Sequence, residues 1–293
     1  MGTSKCRTCP ACSTSNAKSY GHKNNFEILL CRRCGTIYTD RVPTAAEAED
    51  YDAYYTDSNL SVPTFVFDIV KEIVAGFEPY RNTGRLLDIG SGAGTILKVG
   101  RDLGWEVYGL EVSKPAVEHA RRMGFEVFHG EISNADYPPD FFDVVTASEV
   151  IEHLPDPTDS LRSIAKILRP GGLFWATTPS AESLSFRILR NEWSILAPPE
   201  HTQLYSRKGA KMILLDAGFT DAKFKTLGIN PGEIINYFWR SNAESSEFNR
   251  MDSAYSLNEI MTRSKWRKAI KTLMNWGLNF SRQGDSLKIL AIK

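Results

Sequence analysis

The chain predicts an α/β fold on a mostly parallel sheet. Between residues 86 and 220, apolar runs of strand length alternate with segments of helical period, and that alternation implies parallel βαβ units. The first run, Leu86-Leu-Asp-Ile-Gly-Ser-Gly-Ala-Gly94, carries an acid and breaks into three glycines before a helix opens at Thr95. Glycines at such a turn let the backbone bend sharply and approach a ligand without Cβ interference. Open α/β sheets bind at the carboxyl ends of their strands, so a mononucleotide-like ligand is expected there.

The later segments repeat the unit in order. A helix over Thr95 to Leu103 leads to Trp105-Glu-Val-Tyr-Gly-Leu-Glu111, a second strand ending in an acid. Glu111 lies about twenty residues past the glycines, the offset at which an acid meets ribose hydroxyls in dinucleotide folds. A helix from Lys114 to Met123 precedes a third strand, Phe125 to His129, which runs into Gly130-Glu131-Ile132. Phe142 to Ala147 is a fourth strand, and Leu168 to Thr178 holds a helix end, a Pro-Gly-Gly turn and a fifth strand. Ahead of the sheet, Phe65 to Phe77 has apolar residues at helical spacing. Lys223 to Leu227 and Ser286 to Ile292 read as sixth and seventh strands, more than fifty residues apart. A long insertion is usually functional or disordered. The aromatic run Asn236-Tyr-Phe-Trp239 and the basic amphipathic stretch Leu257 to Phe280 predict order, so residues 228–283 are expected to form a helical cap over the substrate pocket or a dimer contact.

The glycine spacing is G-x-G-x-G rather than the G-x-G-x-x-G of nicotinamide dinucleotide folds. Asp88 would repel a pyrophosphate there but suits a cationic amino acid moiety. These segments resemble class I S-adenosylmethionine (SAM) methyltransferases, in the group that includes the ubiquinone-biosynthesis O-methyltransferases, over about residues 84 to 220. The resemblance implies a Rossmann-like sheet of seven strands, mostly parallel, whose sixth and seventh strands form an antiparallel edge hairpin. It implies that Asp88, Gly90, Ser91, Gly92 and Gly94 hold the donor, with Glu111 on the ribose, Glu131 and Ile132 flanking the adenine, and Ser148 beside it. Tyr54 or Tyr55, from the acid- and tyrosine-rich stretch Thr44 to Asp57, would form part of a lid, with plain linker packing as the alternative.

Cys9-Pro-Ala-Cys12 and Cys31-Arg-Arg-Cys34-Gly35 form two C-x2-C pairs with eighteen residues between them, inside the spacing of a four-cysteine zinc site. Four thiolates leave no open coordination position, which points to a structural zinc. The segment is too short to build a core, so the metal would supply much of its folding energy. Cys6 could pair with Cys9 at the same spacing, but Cys-Pro-x-Cys resembles the usual first knuckle of zinc ribbons, which leaves Cys6 as a spare thiol. The expected divisions are a zinc ribbon (1–42), a linker with a helix or lid (43–83) and a methyltransferase domain (84–293).

The chemistry is expected after the fourth strand, in Ser148-Glu149-Val-Ile-Glu152-His153-Leu154. The i, i+3, i+4 spacing would place Glu149, Glu152 and His153 on one face of a helical turn. His201 follows in Pro198-Pro-Glu200-His201. Two carboxylates and two imidazoles make a divalent-metal set of mixed hardness. The arrangement resembles the E-x-x-E-H plus distant His pattern of metal-dependent O-methyltransferases that act on ubiquinone precursors or on the 3′ end of small RNAs. That resemblance implies Mg²⁺, Mn²⁺ or a similar ion; His153 as a metal-free general base and a purely structural role are the alternatives. A hydroxyl nucleophile must be deprotonated, so the histidines favour O-methylation of a small hydroxylated metabolite, a sugar or a natural-product intermediate. N-methylation of an amino sugar or peptide, RNA methylation and a non-catalytic SAM-binding module remain alternatives.

Lysine plus arginine and aspartate plus glutamate both number 35, a formal charge of zero. A nucleic-acid enzyme more often carries a basic surplus. No apolar run approaches membrane-span length, and Cys6 stands where a myristoylation signal requires Ser or Thr. A cytoplasmic enzyme with a small-molecule acceptor is the simplest expectation.

Overall fold

A computed structural model describes residues 7–44, 46–47, 50–239 and 265–293. Cys6 and residues 240–264, part of the expected insertion, lie outside the described residues.

The amino-terminal strands β1 (Ala17–Lys23), β2 (Phe26–Cys31) and β3 (Ile37–Thr39) pair antiparallel in sequence order. Asn24 and Asn25 join the first two at φ 49 and 64, the left-handed pair that a two-residue hairpin turn requires. Three helices lead to the main sheet: α1 (Tyr51–Tyr54), α2 (Asp57–Leu60) and α3 (Thr64–Ala75). Then β4 (Arg85–Ile89), α4 (Thr95–Asp102), β5 (Glu106–Glu111), α5 (Lys114–Arg122) and β6 (Glu126–His129) follow. The next elements are β7 (Phe142–Ser148), α6 (Pro157–Ile167), β8 (Leu168–Pro179), α7 (Leu184–Leu189), β9 (Gln203–Leu204) and α8 (Arg207–Asp216). The chain closes with β10 (Asp221–Leu227), α9 (Pro231–Trp239), α10 (Lys265–Ser281) and β11 (Ser286–Ile292).

Seven strands form one sheet in the order β10-β11-β8-β7-β4-β5-β6. The five from β4 to β8 run parallel, and β11 pairs antiparallel with both β8 and β10. This is the Rossmann-like architecture with an antiparallel edge. Its central strands read as unbroken apolar runs because both faces are covered. Leu86 and Val144 pack toward Val74, Ile96 and Val99, while Leu87 and Val145 pack in the cluster with Ile164, Ala210 and Ile213.

Two features differ from the sequence expectation. Pro170-Gly171-Gly172 lies inside β8 instead of turning ahead of it, and the β7–β8 register slips between Phe142 and Val144. Asp143 stands at that slip and accepts backbone hydrogen bonds from Asn82, Thr83 and Gly84 at 2.8, 2.7 and 2.7 Å, plus one from Arg169 Nε at 2.6 Å. The cysteine segment, moreover, shares a sheet with the main domain: β9 pairs with β3, Ile37 opposite Leu204 and Tyr38 opposite Gln203. Ile28 and Ile37 pack there with Trp193, Leu196 and Leu204. The division at residue 42 therefore separates stretches of sequence that pack together.

Candidate functional site

The loop after β4 is built for close approach. Gly90, Gly92 and Gly94 take φ of 68, 48 and 72, a region where a side chain costs energy. A Cβ on Gly90 would lie 2.6 Å from Val150 Cγ2, and one on Gly92 2.8 Å from Tyr55 Oη. Tyr55, rather than Tyr54, therefore lies over the loop. Tyr54 ends α1, is exposed, and meets Tyr55 edge-on at 5.1 Å. A cleft of about 470 Å³ opens beside Tyr55, lined also by Asp52, Thr56, Lys114, Glu118 and Arg122.

Glu111 fastens this loop to the end of β5. Its carboxylate accepts hydrogen bonds from the backbone N–H groups of Gly92, Val112 and Ser113 at 2.9, 2.8 and 2.9 Å. Asp88 is buried between β4 and β7, where Thr146 Oγ1 donates to it at 2.7 Å. Burial, reinforced by the Glu111 charge, pushes the Asp88 carboxyl up to about 8. Asp88 thus supports the loop from within the sheet instead of presenting an open carboxylate. The Ser91 hydroxyl is buried without a hydrogen-bond partner among the described residues. At the neighbouring strand ends, Ile132 is buried, Glu131 is exposed, and Ser148 Oγ lies 3.0 Å from Thr177 Oγ1.

After β7 the expected helical turn does not form. Glu149 takes φ 53, which redirects the chain and leaves Glu149 exposed while Glu152 is fully buried. Neither Glu152 oxygen has a hydrogen-bond partner of normal geometry among the described residues. Burial, with a contribution from the Glu149 charge, raises the Glu152 carboxyl well above the usual carboxylate range.

Beside it, the rings of His153 and His201 stand 4.7 Å apart at 65°. His153 Nδ1 donates to the Glu200 carbonyl at 3.0 Å and His201 Nδ1 to the Ile195 carbonyl. A nitrogen that donates to a carbonyl carries a ring hydrogen, so a neutral ring held this way keeps its lone pair on Nε2, as on most metal-ligating histidines. Burial, followed by His201, lowers His153 to about 4, so its ring is neutral. Glu152, His153 and His201 each offer a ligand atom within 4.8 Å of the others. Glu149 is not in that group, so three of the four expected residues come together. Their donor set, one carboxylate and two imidazoles, fits a divalent ion.

Sequence reasoning missed the residues that hold this turn. Gln203 Nε2 donates to the carbonyls of Ile151 and Leu154 at 3.1 and 2.8 Å, and Thr202 N to that of Glu152 at 3.2 Å. Tyr51 was also missed; its ring stands edge-on to His153 at 6.2 Å. The tyrosine cluster signalled a lid but not which ring would reach the histidines.

Cys9, Cys12, Cys31 and Cys34 are free thiols that converge. The Cys9–Cys34 and Cys12–Cys31 sulfurs are each 3.6 Å apart. Zn–S bonds of about 2.3 Å place tetrahedral sulfurs roughly 3.8 Å apart, so the cluster fits zinc. The hydrogen bond from Cys9 lowers Cys34 to about 5 and leaves Cys9 raised.

The methyltransferase domain family matches residues 61–223. A ubiquinone biosynthesis O-methyltransferase of Alkalilimnicola ehrlichii is 33% identical over 144 residues, 46% of this chain and 57% of that protein's length. The protein of the same name from Thiobacillus denitrificans is 29% identical over 160 residues, 50% of this chain and 69% of its own. A crystal structure of a SAM-dependent methyltransferase from Archaeoglobus fulgidus superposes with a TM-score of 0.53 at 19% identity, covering 84% of this chain and 100% of that one. No helix among the described residues is long and apolar enough to cross a membrane.

Proposed function

We propose a reaction for this chain from one premise: it belongs to the methyltransferase domain family. In that reading Gly90, Gly92 and Gly94 cradle SAM, Glu111 shapes the loop and meets the ribose, Glu131 and Ile132 flank the adenine, and Tyr55 closes over the loop. SAM, when bound, supplies an electrophilic methyl group on a sulfonium. What the protein adds is alignment of the acceptor with that methyl and removal of a proton from it.

The acceptor is a small hydroxylated metabolite, methylated on oxygen. One observation carries this: Glu152, His153 and His201 converge within 4.8 Å just past the end of β7, the strand beside β4. These residues would hold a divalent ion, which would supply a lowered pKa for a coordinated acceptor hydroxyl. The lone pair at Nε2 of the neutral His153 ring also supports a second reading, in which His153 takes the proton directly. The relatives named ubiquinone biosynthesis O-methyltransferase support oxygen, and zero formal charge supports a metabolite over RNA. The four cysteines would hold a structural zinc, and a thiolate site of this kind suits the reducing cytoplasm.

The test is turnover on pools of hydroxylated metabolites under mild chelation, with zinc content followed in parallel. Activity that falls and returns with Mg²⁺ or Mn²⁺ at constant zinc supports the metal reading. Chelator-insensitive activity that His153→Ala abolishes supports the base. Methyl transfer to RNA at moderate salt, with none to metabolites, would overturn the acceptor class.

A further inference from the structure

The helix α10 is fastened to the sheet by its polar side. Asn279 Oδ1 accepts from Thr226 N and Asn275 Oδ1 from Gly228 N, both at 3.0 Å, while Thr226 Oγ1 donates to the Leu278 carbonyl at 3.0 Å. Asn275 and Asn279 are one helical turn apart and share a side. Leu273, Trp276 and Phe280 follow i, i+3, i+7 spacing and are 68%, 65% and 80% exposed. Trp276 and Phe280 stack at 5.8 Å and 14°. A surface helix ordinarily buries its apolar stripe and wets its polar one. Here the order is reversed.

The reversal is local. Of thirteen exposed large apolar residues among those described, eight lie on α9 and α10, and the other five are scattered singly. Charge follows the same pattern. Between Lys265 and Arg282 the sequence has Lys265, Arg267, Lys268, Lys271 and Arg282 and no acid, in a chain of zero formal charge. Exposed aromatic and aliphatic side chains on a helix whose sequence carries cations and no acid match an interface of acyl chains and anionic headgroups. A symmetric contact with a second copy would instead set like charges against each other.

We propose that α10 docks this protein onto an anionic membrane surface. The helix lies between β10 and β11, and Leu227 pairs with Ser286, which pairs with Pro179 at the end of β8. The helix is thus tethered at the same edge of the sheet from which the glycine loop and the histidine turn depart. The proposal rests on the helix surface and is independent of the acceptor assignment.

The experiment is co-sedimentation of the full chain with phosphatidylcholine vesicles, with and without about 30% phosphatidylglycerol. Wild type should sediment with the anionic vesicles, weakly with the neutral ones, and less at high salt. Trp276→Ser/Phe280→Ser should lose about tenfold in partitioning, as should Lys268→Glu/Lys271→Glu, with SAM affinity unchanged in both. Absence of wild-type binding to anionic vesicles would overturn the proposal, as would undiminished binding by both variants. A wild-type dimer that Trp276→Ser/Phe280→Ser converts to monomer, without vesicle binding, would assign the face to a second copy instead.

Discussion

The two ligand clusters of this protein use different chemistry for different ends. The cysteine cluster offers four like donors within 4.8 Å of one another, two sulfur pairs of which stand 3.6 Å apart. The Glu152–His153–His201 cluster offers three mixed donors, so an ion there would keep positions for an acceptor. The first is built from two knuckles close in sequence; the second draws one turn to a distant loop. Yet they are mechanically joined. β3 follows the second knuckle and pairs with β9, and Gln203 of β9 grips the turn that carries Glu152 and His153. A closed site can thus hold the frame on which an open site is positioned.

The largest effect should come from the closed site. Cys31→Ser should reduce the zinc content from one per chain to near zero and destabilise the fold by several kcal/mol, because structural zinc binding is coupled to folding. Elemental analysis and thermal unfolding measure both. Because β9 shares the ribbon sheet, turnover should fall too. Full turnover in a zinc-free variant would break the mechanical link.

Second in size are the residues of the open site. His153→Ala should lower turnover by about 10² to 10⁴-fold, the span of a positioned proton-transfer group. Its zinc content and SAM affinity should match wild type, since neither the cysteines nor the glycine loop is touched. A variant that loses zinc along with activity would show that the clusters are not separable. Gln203→Ala tests the joint between them. It removes hydrogen bonds to the Ile151 and Leu154 carbonyls, each worth about 1 kcal/mol, and should cost roughly tenfold in turnover with zinc retained. Unaltered kinetics in this variant would leave the turn positioned by its own geometry.

The sequence made the closed site far more legible than the open one. Two C-x2-C pairs announce themselves because each knuckle is a local turn. The sheet was legible for a similar reason: strands such as Leu86–Ile89 and Phe142–Ala147 are buried on both faces and leave no alternation to misread. The turn after β7 was not legible. Glu149-x-x-Glu152-His153 has helical spacing, and the left-handed backbone at Glu149 that breaks it has no sequence marker. Nor could β9 be read, since two residues, Gln203 and Leu204, give no period and their pairing partner lies more than 160 residues earlier. Tyr55 over the loop, in place of Tyr54, follows from where the short helix α1 ends.

The smallest effect concerns Asp88 and separates the glycine loop from both clusters. Its carboxyl is raised from an ordinary 3.8 to about 8, so between those values the folded chain holds a proton that the unfolded chain has released. This contribution to stability is therefore fully present below pH 4 and is lost as pH rises toward 8. A cation placed near the loop favours the ionised form and reverses part of the shift. SAM is cationic, so its binding should release up to one proton and tighten with rising pH between about 6 and 8, by at most tenfold per pH unit. Calorimetry in buffers of different ionisation enthalpy reads the proton directly. Asp88→Asn should bind SAM with a flat pH profile over the same range, while His153→Ala should retain the slope. A wild-type profile already flat from pH 6 to 8 would mean that Asp88 does not sense the donor's charge and that its role ends with the hydrogen bond to Thr146.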